Sequence, residues 1–194
     1  MSYLIFDKWD SNVAVTDLGL KDYICLDPKI HFDSRGRESK IKIHIVERLI
    51  NNMMRSGTQG KMGGHIIRGR AGCGKKEKMM KIVKEAFEII ENKEKKNPIE
   101  LFIRAIENAA PREETTRVKY GGIVTPIAVD VSPERRIDFA LRNITKAVVQ
   151  KSFNNKKTAA RALAEEIIFA AQNNTASNAI SKRNDVERTA KASR

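Results

Sequence analysis

The segment Ala109–Lys146, AAPREETTRVKYGGIVTPIAVDVSPERRIDFALRNITK, changes its period half-way, and that change leaves a fold few options. After the helix stop Pro111, Thr116, Val118 and Tyr120 alternate with Arg117 and Lys119; Gly121 and Gly122 make a turn, and Ile127, Val129 and Val131 lead back. A period of two on either side of a glycine pair predicts a β-hairpin over residues 115–131, with Arg117 and Lys119 on one cationic face. Ser132 then offers a helix cap and Pro133 suits the first helical position. Ile137, Leu141, Ile144 and Val148 follow at helical spacing, beside Arg135, Arg142 and Lys146. A basic hairpin is delivered straight into a basic helix. Two strands alone are marginal in water and Pro126 lacks a ladder donor, so the ribbon needs either helices beneath it or a polyanion to hold it.

The other periodic stretches are helical. Ile45, Val46, Leu49, Ile50 and Met53 form one inward stripe, with Lys42, Arg48 and Arg55 left for the outer side. Met79, Ile82, Val83, Ala86, Phe87 and Ile90 form a second, which ends in the polar run 91–96. Asn97 as cap, Pro98 at the first position and Glu100 at the capping-box site open a third, with Ile99, Phe102, Ile103 and Ile106 inward. Beyond the basic break that holds Lys156 and Lys157, an alanine-rich helix places Leu163, Ile167, Phe169 and Ala170 inward. The last helix carries Lys182, Arg183, Arg188, Lys191 and Arg194 over a sparse apolar face, which predicts loose docking. Residues 1–40 lack helical periodicity and read as an extended arm. The expected fold is mainly α: a single domain over residues 1–194, with about six helices in a body spanning 41–194, a protruding hairpin and an N-terminal arm.

The chain has 37 Lys and Arg against 24 Asp and Glu, a formal net charge of +13, so its partner should be anionic. A membrane is the weaker choice of partner, and none is expected, because no run of about 18 apolar residues occurs and the cations are spread over many elements. Asp7 and Asp10 stand where a signal peptide needs positive charge, so a cytoplasmic location is expected. Cys25 and Cys73 are too few for a disulfide framework, and His31, His44 and His65 lack paired ligand spacing; no metal and no cofactor are expected.

One enzymatic signal stands in the glycine-rich basic loop, residues 55–76, which holds seven of the eleven glycines together with Arg68 and Arg70. Gly69-Arg-Ala-Gly-Cys-Gly74-Lys75-Lys76 nearly matches the phosphate-cradling loop of nucleotide hydrolases. Lys76, however, stands where a hydroxyl should meet magnesium, and its charge would repel the metal. The chain also lacks the buried parallel strands such a fold requires. No serine or cysteine has a nucleophile context. A nucleotide hydrolase therefore ranks as an alternative, alongside an architectural DNA-binding protein, and the expectation is no enzyme.

RNA is the better polyanion. Cations occur on the arm (Arg35, Arg37, Lys40), the glycine loop, the hairpin with Arg112 at its foot, and several helix faces, which suits an irregular folded RNA touched from several sides. A major-groove DNA reader concentrates them on one recognition helix. An aromatic content of 6% argues against a base-stacking platform.

The runs Asn97-Pro-Ile, Ala105-Ile-Glu-Asn-Ala-Ala-Pro-Arg-Glu-Glu114, Arg117-Val-Lys-Tyr-Gly-Gly122, Ala128-Val-Asp-Val-Ser-Pro133, Arg135-Arg136 and Ala140-Leu-Arg-Asn-Ile144, in that order, resemble the universal small-subunit ribosomal protein seven family. Phe6-Asp-Lys-Trp9, Leu18 to Leu26, Ala164-Glu-Glu-Ile-Ile168 and the Ala-Ser-Arg ending resemble its archaeal branch. The resemblance implies a helical domain with a protruding ribbon that binds the three-prime major domain of small-subunit ribosomal RNA. It further implies nucleation of head assembly, neighbouring small-subunit proteins as partners, and a place near exit-site transfer RNA and the messenger exit channel. Carried to matching positions, Arg117, Lys119 and Tyr120 belong to the ribbon, Arg135, Arg136 and Arg142 to the following helix, and Lys40, Lys42 and Arg48 to the RNA-facing first helix. The tip at Gly121 and Gly122 would lie nearest transfer RNA. The glycine-rich insertion 57–74 departs from the shorter bacterial pattern.

Overall fold

The computed structural model describes residues 4–27, 38–55, 61–62, 65–66 and 74–194. Four of the expected RNA contacts, Arg35, Arg37, Arg68 and Arg70, and most of the glycine loop lie outside the described residues. In chain order the elements are β1 (Leu4–Ile5), β2 (Trp9–Asp10), α1 (Leu18–Lys21), α2 (Glu38–Ile41), α3 (Ile45–Arg55), β3 (Lys61–Met62), β4 (His65–Ile66), α4 (Lys76–Glu94), α5 (Pro98–Ala109), β5 (Glu113–Tyr120), β6 (Ile123–Asp130), α6 (Pro133–Ser152), α7 (Ala159–Ala171) and α8 (Asn178–Ala192). The fold is mainly α, with the six helices α3 to α8 as its body. Among the described residues the sheets are three antiparallel strand pairs. None supplies the parallel sheet that a nucleotide hydrolase would need.

Local chemistry starts the helices. Asn97 accepts from the Ile99 N–H at 3.0 Å with Pro98 filling the first position of α5. Thr158 and Ser177 cap α7 and α8 in the same way. Ser132 occupies the cap position of α6 but makes no side-chain cap bond there, so Pro133 is the operative start signal.

The core is contiguous from Trp9 to Ile180. At its centre α7 lies against α4, α5, α6 and α8. Its alanine content explains why: Ala160, Ala162, Ala164 and Ala170 are buried, and small side chains let neighbouring helices approach closely. Leu163 and Ile167 are fully buried in the same cluster as Phe102, Ile106, Leu141 and Ile144. Each such side chain contributes about 1.5–3 kcal/mol on full burial.

The sparse last helix is better held than its composition predicts. Glu166 on α7 is fully buried and accepts from Ser177 Oγ at 2.7 Å, the Ala179 N–H at 3.1 Å and Lys151 Nζ at 2.5 Å. A carboxylate at the first turn of α8 satisfies the Ala179 amide, which has no partner within the helix, and faces the positive end of its dipole. Ala179, Ile180 and Ala190 complete the contact, all fully buried.

The arm, where it is described, is docked on the body. β1 and β2 pair across a three-residue turn, Phe6 to Lys8, with Phe6 and Asp7 at positive φ. Trp9 is 4% exposed, with its ring 5.7 Å edge-on from Phe87 and 6.1 Å from Phe6. The Thr16 and Asp17 amides donate to Glu107 Oε1 at 2.6 and 2.9 Å. Asp17 then caps the single turn α1, which the sequence pattern does not reveal.

β5 and β6 pair without interruption from Glu113 opposite Asp130 to Tyr120 opposite Ile123. Pairing starts two residues before the expected Thr115, at Glu113 and Glu114, which are held by Arg194 just beyond α8 and by Arg135 of α6. Gly121 and Gly122 have φ of 54° and 89°, the left-handed pair that a two-residue hairpin turn requires. Counting rungs from that turn, Pro126 opposite Arg117 falls on a rung without ladder bonds, so its missing donor leaves no gap.

Candidate nucleic-acid interface

Side chains alternate across the ribbon, so the register sorts them into two faces. Arg117 and Lys119 share one face with Pro126 and Val124 opposite them. Val118, Ile123, Thr125, Ile127 and Val129 share the other. Both faces are open to solvent over the outer half of the ribbon, and Ile123 near the tip is 73% exposed. The ribbon is amphipathic and, away from its root, carries no helix beneath it. Of Tyr120 only the backbone is described.

The root is different. Arg135, in the first turn of α6, grips Glu114 with two parallel bonds, Nε and Nη2 each at 2.7 Å. The hydrogen bonds from Arg135 hold the Glu114 carboxyl below its ordinary pKa, and Glu114 in turn raises that of the guanidinium. Arg194, just beyond α8, pairs with Glu113 on the opposite face. The next arginine, Arg136, turns inward: it donates to the Pro111 carbonyl at 3.1 Å and to Asp17 Oδ2 at 2.8 Å. Burial raises the Asp17 carboxyl, but the Arg136 bond and the Gly19 amide outweigh it and leave the pKa lowered.

α6 carries the cations onward. Arg135, Phe139, Arg142 and Lys146 recur at steps of three or four residues and so lie along one side of the helix. Ser132, Glu134, Arg135, Asp138, Phe139 and Arg142 line a single shallow depression there. α3 packs beside it, and Arg48 Nη2 reaches Asp138 Oδ1 at 2.9 Å while Nη1 donates to the Tyr23 carbonyl at 3.2 Å. Lys40 joins the same carboxylate at 3.4 Å. The fold thus brings the ribbon root, α6 and the start of α3 into one continuous surface.

The expected contact residues divide by what already holds them. Arg48, 5% exposed, and Arg136 are turned into the protein, where they bond the arm and α3 to α6; this corrects the expectation that both face RNA. Lys40, Lys76, Arg135 and Lys157 are at the surface with carboxylate partners. Lys42, Arg55, Lys75, Arg112, Arg117, Lys119, Arg142, Lys146 and Lys156 have no side-chain ion pair within the described residues. Lys156 stands past the far end of α6, a helix of 20 residues and hence about 30 Å from the ribbon root. The residues that sequence inspection missed are acidic: Glu113, Glu114 and Asp138 decide which arginines are free, and no local pattern marks them. Among the described residues no His, Cys, Asp or Glu cluster could hold a metal, and no helix is long and apolar enough to cross a membrane.

Comparison with known proteins decides between the families that this surface could serve. The family model described as Ribosomal protein S7p/S5e matches residues 20–194. The chain is 45% identical over 198 residues to "Small ribosomal subunit protein uS7" of Methanosphaera stadtmanae, covering 99% of both chains. The protein of that name from Archaeoglobus fulgidus is 47% identical over 197 residues, with 98% of this chain and 95% of the relative covered. The chain belongs to the ribosomal protein S7p/S5e family. The Methanothermobacter thermautotrophicus uS7 is similar to the same degree, 46% over 195 residues. This is a family of structural ribosomal proteins and not of enzymes, so the near-match at Gly69 to Lys76 is a coincidence of glycine and lysine content. Within the family's span, α4 begins at Lys76 with Lys75 at its cap position and no side-chain cap bond. The ribbon, α6 and α3 all fall inside the matched residues.

Proposed function

We propose that the chain acts as one RNA-binding domain of the small ribosomal subunit, seated on the three-prime major domain of its ribosomal RNA in the cytoplasm. Family membership supports the ribosomal role. The surface observation that carries the RNA assignment is the set of unpaired cations on two adjoining elements, Arg117 and Lys119 on the ribbon and Arg142 and Lys146 on α6. Phosphates are the natural partners for guanidinium and ammonium groups with no internal carboxylate. Lys42, Arg55 and Arg112 extend the same contact toward α3 and the ribbon foot. Lys75, Lys76, Lys156 and Lys157 belong to its periphery.

In this reading the protein binds early and organises the subunit head, with neighbouring small-subunit proteins packing around it. The ribbon tip at Gly121 and Gly122 extends toward exit-site transfer RNA and the messenger exit channel. A tip with two glycines and no side chains suits close approach to a nucleic-acid backbone.

The test is titration of the full chain with a transcript of that RNA domain over a range of salt. Arg117→Ala, Lys119→Ala and Arg142→Ala are each expected to lower affinity and reduce the salt slope by about one unit per lost phosphate contact. Unchanged slopes in all three would remove this surface from the RNA interface. Duplex DNA displacing the transcript at equal ionic strength would favour an architectural DNA-binding role instead.

A further inference from the structure

We infer that Glu113 and Glu114, two acidic residues within a cationic surface, are positioning residues that aim the ribbon for its nucleic-acid partner. The inference rests on the RNA-binding role proposed above and goes beyond it by assigning a task to carboxylates that oppose the charge of the ligand.

The geometry is that of a two-sided clamp. Consecutive residues of a strand point to opposite faces, so Glu113 and Glu114 leave the root of β5 in opposite directions. Glu113 meets Arg194 at the end of α8, and Glu114 meets Arg135 in the first turn of α6. Each helix thus takes hold of one face. Backbone bonds fix the same level: Arg112 N–H donates to Glu187 Oε1 of α8 at 3.0 Å, and Val131 N–H donates to the Arg112 carbonyl at 3.0 Å. Arg136 adds its bond to the Pro111 carbonyl from below. Beyond this level no helix packs on the outer ribbon, whose residues from Thr116 to Ile127 are exposed wherever their side chains are described.

Ion pairs this exposed, with Arg135 at 65% and Arg194 at 63%, add little to global stability. Their leverage is geometric. Eight residues of strand carry the tip about 25 Å from the root, so a tilt of about 10° displaces it by about 4 Å, more than a hydrogen bond tolerates. The bidentate Arg135–Glu114 pair is well suited to fixing an angle, because two parallel bonds define an orientation as well as a distance.

The sign of the effect separates positioning from simple electrostatics. Removing two negative charges beside an RNA interface makes the protein more cationic, which by charge alone strengthens binding. If the carboxylates aim the ribbon, binding weakens instead. The experiment is the double variant Glu113→Gln/Glu114→Gln in the full chain, titrated with the RNA-domain transcript at fixed salt. Amide residual dipolar couplings of the free protein report the ribbon's orientation. We expect roughly five- to tenfold weaker binding, couplings of the ribbon that no longer fit the alignment of the helical body, and a melting temperature close to that of the parent. The charge-swapped pair Glu114→Arg/Arg135→Glu is expected to recover most of the affinity lost by Glu114→Gln alone.

Binding as tight as or tighter than the parent, or ribbon couplings that already deviate from the body in the parent protein, would overturn the inference. Weakened binding with a large fall in melting temperature would also overturn it, since the carboxylates would then be holding the fold. Failure of the RNA role looks different: the parent itself would not bind the transcript specifically, whatever the state of the clamp.

Discussion

Two of the hairpins among the described residues, β1–β2 and β5–β6, are used in opposite ways. Both are antiparallel pairs whose turns hold two residues in the left-handed region, Phe6 and Asp7 of a three-residue turn in one, Gly121 and Gly122 of a two-residue turn in the other. Glycine adopts that conformation freely, whereas a residue with a Cβ gives up roughly 1–2 kcal/mol. The first hairpin tolerates the strain at half-buried Phe6 because its ring and that of buried Trp9 are packed edge-on against Phe87, while Asp7 beside it is exposed. The second has no aromatic cluster beneath it and uses glycines. A hairpin docked on the core by its aromatic side chains can place one of them in the turn itself. One that projects into solvent must choose its turn residues for backbone freedom.

The largest way to break this comparison is Trp9→Ala. It removes a buried indole and its bond to Glu91, and should destabilise the whole protein by about 3–5 kcal/mol in denaturant unfolding. Ile123→Ala at the ribbon tip should stay within about 0.5 kcal/mol. Equal effects from the two would mean that the ribbon is packed in solution.

The two consecutive arginines offer a sharper test. Arg136 ties the arm through Asp17, and Arg135 ties the ribbon through Glu114; both carboxylates are lowered in the folded protein. For a lowered acid the stabilisation is present above its unfolded pKa and is lost as pH falls through the folded value. The loss therefore lies below about pH 4, the ordinary range of these carboxyls. Asp17→Asn keeps a capping oxygen for α1 but removes the charge that Arg136 pairs with, and should lower stability at pH 7 by about 1 kcal/mol, visibly flattening the acid limb of stability against pH. Glu114→Gln, at the more exposed pair, should flatten it by a few tenths at most. The reverse order would assign the anchoring role to the ribbon's pair.

At the turns, Gly122→Ala should cost about 1 kcal/mol, read as loss of amide-exchange protection in β5 and β6 with the helices unaffected. Asp7→Gly relieves a strained, exposed position in the docked hairpin and should raise stability by less than about 1 kcal/mol. Destabilisation by Asp7→Gly would show that its side chain contributes something the packing does not.

The periodic parts of the fold were legible. Pro98 after Asn97, the stripe Ile137–Leu141–Ile144–Val148 and the pair Gly121–Gly122 each impose a local geometry on a few neighbouring residues, and each element formed where its pattern stood. The site was legible only as a supply of cations. Arg135, Arg136 and Arg142 look alike in the sequence, yet one grips Glu114, one is turned inward to Asp17, and one is open to solvent without an ion-pair partner among the described residues. α8 was underrated for the same reason: its anchor, Glu166, sits on another helix.

By itself, then, the sequence determined the helices, the ribbon, its glycine turn and the excess of positive charge, because backbone geometry and hydrophobic period act over a few residues. The tertiary structure alone decided which cations remain for a partner and where the ribbon points. A charge is neutralised by whichever opposite charge the fold brings within about 4 Å, and those partners come from positions as far apart as Arg48 and Asp138 or Glu113 and Arg194.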